Sequence, residues 1–313
     1  MSFGSCTTKR WQLLHADNVS DGVAIFALSF SEANHGWALT PLQLLETVDG
    51  GQTWTEQMTS EGAEKAFYSL TFIEPATGFI VGAQRKGDGY TALILRTTNG
   101  GKTWQESPVN VAPVQDIHAP HGLHSISFCG PRFGWAAGSS LILHTTNGGQ
   151  TWETQRGGNN KETLFSVACV SPERAWAVGI DGLILQTADG GQSWHRQSSG
   201  TTDTLVRVRF FGDNGWIVGG LAGKGTLLRT RDGGATWEQM SLKSSEGLTD
   251  IYMNGQQGWI VGTNGTILHT KDGGQTWQQE ISPTNNSLTT IFFLNQQQGW
   301  IGGDQRTILR LAG

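Results

Sequence analysis

The sequence predicts an all-β fold: a seven-bladed β-propeller of four-stranded blades, its ring closed by the N-terminal strand. Three observations predict it. The string Thr-x-(Asp/Asn)-Gly-Gly-x-(Thr/Ser)-Trp, an Asp box, occurs six times and ends on Trp54, Trp104, Trp152, Trp194, Trp237 and Trp277. A Gly-aromatic pair occurs seven times, at Trp37, Phe79, Trp135, Trp176, Trp216, Trp259 and Trp300, with Ala175 in place of Gly in the fourth copy. Most steps in both columns lie between 40 and 43 residues, the period of a propeller blade.

Each unit reads as four strands, A to D. In the sixth, Leu248–Met253 is an apolar strand A and Asn254–Gly258 a polar turn. Trp259–Gly262 is strand B, Thr263–Gly265 a tight turn and Thr266–Thr270 strand C. The Asp box makes the next turn, and Trp277–Ile281 is strand D. Asn-Gly and Asp-Gly between β-branched or aromatic runs are strong hairpin signals, because such turns need a positive φ. The blades fall at 23–58, 66–106, 122–156, 163–198, 203–241, 247–281 and 287–311, within one domain over 1–313. The seventh blade has strands A to C and then the chain stops. Its strand D is expected from residues 10–15, since Arg10-Trp11-Gln12-Leu13-Leu14 resembles Trp277-Gln278-Gln279-Glu280-Ile281. Closure in this way removes two open sheet edges. It also gives all 13 tryptophans a repeat position.

Composition narrows the function. A net charge of −5 lacks the basic footprint of a nucleic-acid binder. The chain contains no apolar run of about 18 residues of the kind that spans a membrane. Cys129 and Cys169, at the ends of two strands A, are expected as buried apolar fillers. Cys6, in Phe3-Gly4-Ser5-Cys6, is faintly like a bacterial lipoprotein cleavage site, and a cytoplasmic chain is the alternative.

The Asp boxes invite a reading as carbohydrate chemistry, but a device present in six blades serves what every blade needs. Asp49, Asn99, Asn147, Asp189, Asp232 and Asp272 are expected to bond the turn backbone. Trp54, Trp104, Trp152, Trp194, Trp237 and Trp277 are expected to cover the hairpin.

With Gly-Trp-x-Val-Gly on strand B, as in Gly215-Trp216-Ile217-Val218-Gly219 and Gly258-Trp259-Ile260-Val261-Gly262, these tandem boxes resemble the photosystem II stability/assembly factor family and its bacterial relatives. The resemblance covers nearly the whole chain. It implies a non-enzymatic scaffold that binds another protein, a membrane-complex subunit, without a cofactor. It also implies a periplasmic, lumenal or membrane-associated setting. Closed edges make a monomer the expected state.

The alternative is a glycan-binding or glycan-cleaving Asp-box propeller. A sialidase needs three arginines, a Tyr–Glu pair and an Asp acid. Only Tyr68, Tyr90 and Tyr252 are present, and the Phe/Tyr-Arg-Ile-Pro start is missing. Two facing carboxylates would be needed for glycoside hydrolysis. Outside the boxes, Asp88, Asp116, Asp203, Asp250 and Asp304 are the acids to consider. His118, His121 and His124 suggest a metal site by spacing alone, against a solvated loop as the plainer reading.

Two features mark candidate contacts. The residue before the central apolar residue of strand A reads Ala27, Ser69, Ser125, Ser166, Arg207, Asp250 and Thr290. This column is expected near the central channel, with Arg207 and Asp250 as an ion pair that is structural or anchors an anionic ligand. The D–A and B–C loops share one face of a propeller, and the long ones (Ala83–Thr91, Ser107–His121, Gly220–Lys224) all fall there. Loops that outgrow connection tend to carry function. Partner contacts are therefore expected on that face around blades two and three, with Arg85, Lys86, Tyr90 and His121 foremost.

Overall fold

The computed structural model describes residues 11–15, 23–60, 64–109, 122–156, 162–220, 223–242 and 246–312 of the 313. Their strands form seven four-stranded antiparallel sheets. Six are consecutive A-B-C-D meanders. The seventh takes its outer strand from Trp11–His15, antiparallel to Ile308–Leu311. Trp11 is 4% exposed, lies edge-on to Phe293 with ring centroids 6.0 Å apart, and donates Nε1 to Glu280 Oε2 at 3.1 Å.

Strands A to C carry the core and strands D are polar rims. In blade six, strand A runs Leu248–Asn254, one residue further than the apolar pattern indicates, and pairs with Gln257–Gly262. Strand D shrinks to Gln278–Gln279 from the expected five residues. An outermost strand has a ladder on one side only and exposed side chains, so little holds its ends.

The Gly-aromatic column is a packing device. The aromatic of one blade lies against strand A of the next: Trp37 on Phe72 (6.0 Å between centroids), Phe79 on Phe128 (4.7 Å), Trp176 on Phe210 (4.6 Å), Trp259 on Phe293 (4.6 Å) and Trp300 on Phe30 (3.7 Å). Each of these strand-A rings also covers the column glycine opposite it in its own blade. A Cβ on Gly78, Gly134, Gly215 or Gly299 would come within 2.6–2.7 Å of that ring. Blade four departs from the pattern twice. Cys169 stands where the Phe belongs, and its partner across the ladder is Ala175. Loss of the ring makes room for the methyl group.

Cys129 and Cys169 are not apolar fillers. They form a disulfide, with Cα atoms 5.3 Å apart and the two positions 40 apart in sequence, inside the span such a bond requires. The two half-buried ends of strand A come together only when blades three and four stack.

The Asp boxes make the C–D turns. In the first, Thr47 Oγ1 donates to Asp49 Oδ1 (2.8 Å) and accepts from Gly51 N–H (2.9 Å). Asp49 accepts from the backbone and hydroxyl of Thr53 at 2.9 and 2.6 Å. Gly50 and Gly51 have φ of +76° and +95°, which glycine adopts without penalty. In the Asn boxes the amide donates instead, Asn99 to Thr103 and Asn147 to Thr151, both at 2.8 Å. Trp152 is buried, and the other five box tryptophans are half-buried over their hairpins.

Candidate functional site

The inner strands are joined by a repeated bond. Ser125 Oγ accepts the N–H of Val167 in the next strand A, and Ser166 Oγ accepts that of Val208, both at 3.2 Å. Arg207 occupies the next place in this column and has no acceptor to offer. Asp250 fills both roles. It accepts the N–H of Ile251 at 2.8 Å on Oδ1 and that of Ile291 at 3.1 Å on Oδ2. Thr290 Oγ1 adds a bond at 3.3 Å.

Asp250 is fully buried, and two guanidinium groups face it. Arg209 grips both oxygens, at 3.0 and 2.9 Å, and Arg207 Nε lies 3.2 Å from Oδ1. Burial pushes this carboxyl up, but Arg207 and Arg209 outweigh that and hold it below its ordinary range. The pair expected from sequence is thus a triad. Arg209 was missed because it lies two residues beyond the column, where the alternation of strand A returns it to the same side. Two cations on one carboxylate leave one positive charge in excess. That charge borders a central cavity of about 490 Å³ lined by Ser69, Ser125, Ser166, Thr290, Arg207 and Arg209 and reaching the blade-three A–B turn at Gly130-Pro131. Asp250 sits behind this wall.

The expected blade-two loop Ala83–Thr91 is instead a β-hairpin. Strands Gly78–Lys86 and Gly89–Thr97 pair to their tip. Gly87, with φ +62°, opens a two-residue turn with Asp88, as tight hairpins favour. Arg85 and Lys86 are exposed, and Arg85 pairs across the ladder with half-buried Tyr90. His121 and His118 lie outside the described residues.

A further arrangement sits on this side of the ring. Six of the seven inner strands carry a β-bulge, falling at Tyr68, His124, Phe165, Val206, Thr249 and Thr289. Bulges re-aim side chains, and these reach toward the next blade. Thr249 Oγ1 donates to Leu288 O at 2.6 Å, and Thr289 Oγ1 to Ile25 O. In blades one to four the same places hold rings in a continuous arc. Phe26 and Tyr68 are 6.3 Å apart, Tyr68 and His124 5.3 Å, His124 and Phe165 5.6 Å. Tyr90 lies close enough to Tyr68 to add to the effect of burial in raising its pKa. His124 is thus no solvated loop residue. Burial lowers its pKa, so the neutral ring donates from Nδ1 to Leu164 O at 2.8 Å. The arc was legible as the column one residue before the polar one, but nothing in sequence says that its rings meet from blade to blade. Tyr90, across the hairpin from Arg85, therefore adjoins the aromatic arc at Tyr68. Arg207 and Asp250 lie across the ring in blades five and six.

Among the described residues no three His, Cys, Asp or Glu side chains are placed to hold a metal ion. Asp181 and Asp203 do share a cleft on the D–A/B–C face, about 630 Å³ in volume. Asp203 accepts from Thr226 at 2.5 Å and has its pKa lowered, first by that bond and then by Thr201.

The chain matches the family described as photosynthesis system II assembly factor YCF48, over residues 58–160, 157–245, 221–284 and 243–312. No curated protein matches it. Among solved structures, it resembles YCF48 bound to D1 peptide at 23% identity and TM-score 0.75, with 100% of both chains covered. YCF48 from Cyanidioschyzon merolae is 21% identical with TM-score 0.72, covering 96% of this chain and 98% of that one. The GH74 xyloglucanase from Xanthomonas campestris is 11% identical with TM-score 0.71, covering 97% of this chain and 53% of that one. At these identities the likenesses show the propeller fold. The family match, which spans most of the sequence, shows more: the chain belongs to the photosystem II assembly factor YCF48 family.

Proposed function

We propose that this protein is a non-enzymatic, monomeric scaffold that binds a subunit of a membrane protein complex during its assembly, using 1–313 as one propeller domain. The observation that carries the reading is an asymmetry in an otherwise regular ring. Blades one to four alone combine the arc Phe26, Tyr68, His124 and Phe165 with the basic hairpin of Arg85, Lys86 and Tyr90. Aromatic groups beside arginine are the usual make-up of protein interfaces. The YCF48 structure bound to a D1 peptide supports a polypeptide ligand for this family. His121 belongs to the same surface in this reading. Arg207, with the excess charge of its triad, offers a second contact for an acidic group of the partner, while Asp250 is structural.

Glycoside hydrolysis draws no support from the carboxyls. Two-carboxylate hydrolysis needs one acid whose pKa is raised. Every described carboxyl with a resolved shift is shifted down: Asp49, Asp189, Asp203, Asp232, Asp250 and Asp272.

The test is a cross-linking pull-down from native membranes with the wild type and the Arg85→Glu/Lys86→Glu variant. Capture of one complex subunit by the wild type, and its loss with the variant, is the expected result. Equal capture by both keeps the scaffold and removes the hairpin from the interface. No capture by either overturns the scaffold reading.

A further inference from the structure

The seam between blades three and four is built differently from its neighbours. Five seams stack a strand-B aromatic on a strand-A phenylalanine, and a sixth sets Trp216 against Met253. At the remaining seam Cys169, the smallest residue in that column, packs against the cluster that holds Trp135 and is bonded to Cys129 of blade three. The covalent link stands where every other seam has a large apolar side chain. Ala175 shows that the exchange is complete, since a phenylalanine at 169 would collide with its methyl group as rings elsewhere would with a Cβ on the column glycine.

We infer that Cys129 and Cys169 form a redox modification site that locks this seam, and that its substrate is an external disulfide. One thiolate attacks that disulfide and displaces a thiolate, leaving a mixed disulfide. The second cysteine then attacks the mixed bond and displaces the other thiolate. Two cysteine thiols are oxidised, the external disulfide is reduced to two thiols, and the two protons pass to them. Such bonds persist in oxidising compartments, so the locked form is the one such a compartment maintains. The lock also borders the central cavity, which Cys169 lines beside Arg207 and Arg209. Reduction removes the link without restoring a ring, so the three–four seam becomes the loosest in the propeller.

The experiment uses the full chain, equilibrated with oxidised glutathione or with a strong thiol reductant. Alkylation and peptide mass mapping should find Cys129 joined to Cys169 in the first state and free in the second. Loss of a link closing a loop of this length should lower Tm by about 5 °C. Free thiols at both positions after oxidised glutathione, or one Tm in both states, would overturn the inference. The variant Cys129→Ser/Cys169→Phe/Ala175→Gly rebuilds the ring-over-glycine seam. Its Tm should exceed that of the reduced wild type and ignore reductant. Should it not fold, Cys129→Ser/Cys169→Ser decides the matter. A Tm equal to the reduced wild type supports the lock, and one equal to the oxidised wild type refutes it.

Discussion

The third position of the Asp box shows how much one atom matters. Asp49, Asp189 and Asp272 have pKa values of about 2, held down first by the hydroxyls of Thr53, Ser193 and Thr276. In an unfolded chain an aspartate titrates near about 3.9. The folded value is the lower one, so each box adds stability that is full above about pH 4 and is lost as the pH falls toward 2. Asn99 and Asn147 make the same turn by donating an amide hydrogen and do not titrate. Asp232, the fourth box aspartate, is held down in the same way, so replacing all four by Asn should flatten the fall in Tm between about pH 4 and 2, followed by circular dichroism. An unchanged slope would show that other carboxyls govern acid unfolding. The column glycines make a second case. Gly215→Ala forces a methyl group into Phe210 and should cost about 1–3 kcal/mol in urea denaturation. Ala175→Gly should cost no more than about 1 kcal/mol, because Cys169 leaves that space open. Sequence displays both columns plainly. It does not display why the fourth copy breaks the rule, since the cause is a residue six places earlier, on the neighbouring strand.

Among the elements, the inner and outer strands carry opposite kinds of information. The D strand of blade seven was legible from the count of boxes and from Trp11, because a repeat with a missing piece declares what must supply it. Deleting residues 1–15 removes a buried Trp and exposes the edge Ile308–Leu311. It should lower Tm by at least about 5 °C, given a Trp truncation of about 3–5 kcal/mol. A truncated protein that melts with the full chain would mean the strand is dispensable. The inner strands were harder to read. Their bulges leave only a single extra residue per strand as a trace in sequence. The role of Asp250 depends on both neighbouring strands at once. Asp250→Ala would strand two guanidinium groups and two backbone N–H groups, and should destabilise by about 3–5 kcal/mol in urea denaturation. A loss below about 1 kcal/mol would show that solvent in the channel satisfies them instead.

The whole molecule is a ring in which each blade buries its faces against two others, so no blade has a core of its own. Unfolding should therefore run as one transition in urea, with tryptophan fluorescence and far-ultraviolet circular dichroism changing together. Separate transitions would divide the chain into more than one unit. The outer edges are short and polar, as with Gln105–Glu106, Glu238–Gln239 and Gln278–Gln279, which leaves little for edge-to-edge pairing. Sedimentation should give a single species near 33.8 kDa. By itself the sequence determined the number of blades, the closure of the ring and the positions of the Asp-box turns. Those features rest on local chemistry, a box or a Gly-aromatic pair, repeated at a period that one blade sets. Tertiary structure alone decided the disulfide, the Arg207–Arg209–Asp250 triad and the aromatic arc. Each joins residues of neighbouring blades, 40 to 56 positions apart, and such groups meet only where one blade stacks on the next. The repeat fixes that stacking, but the chemistry at each seam depends on which departures from the repeat come face to face.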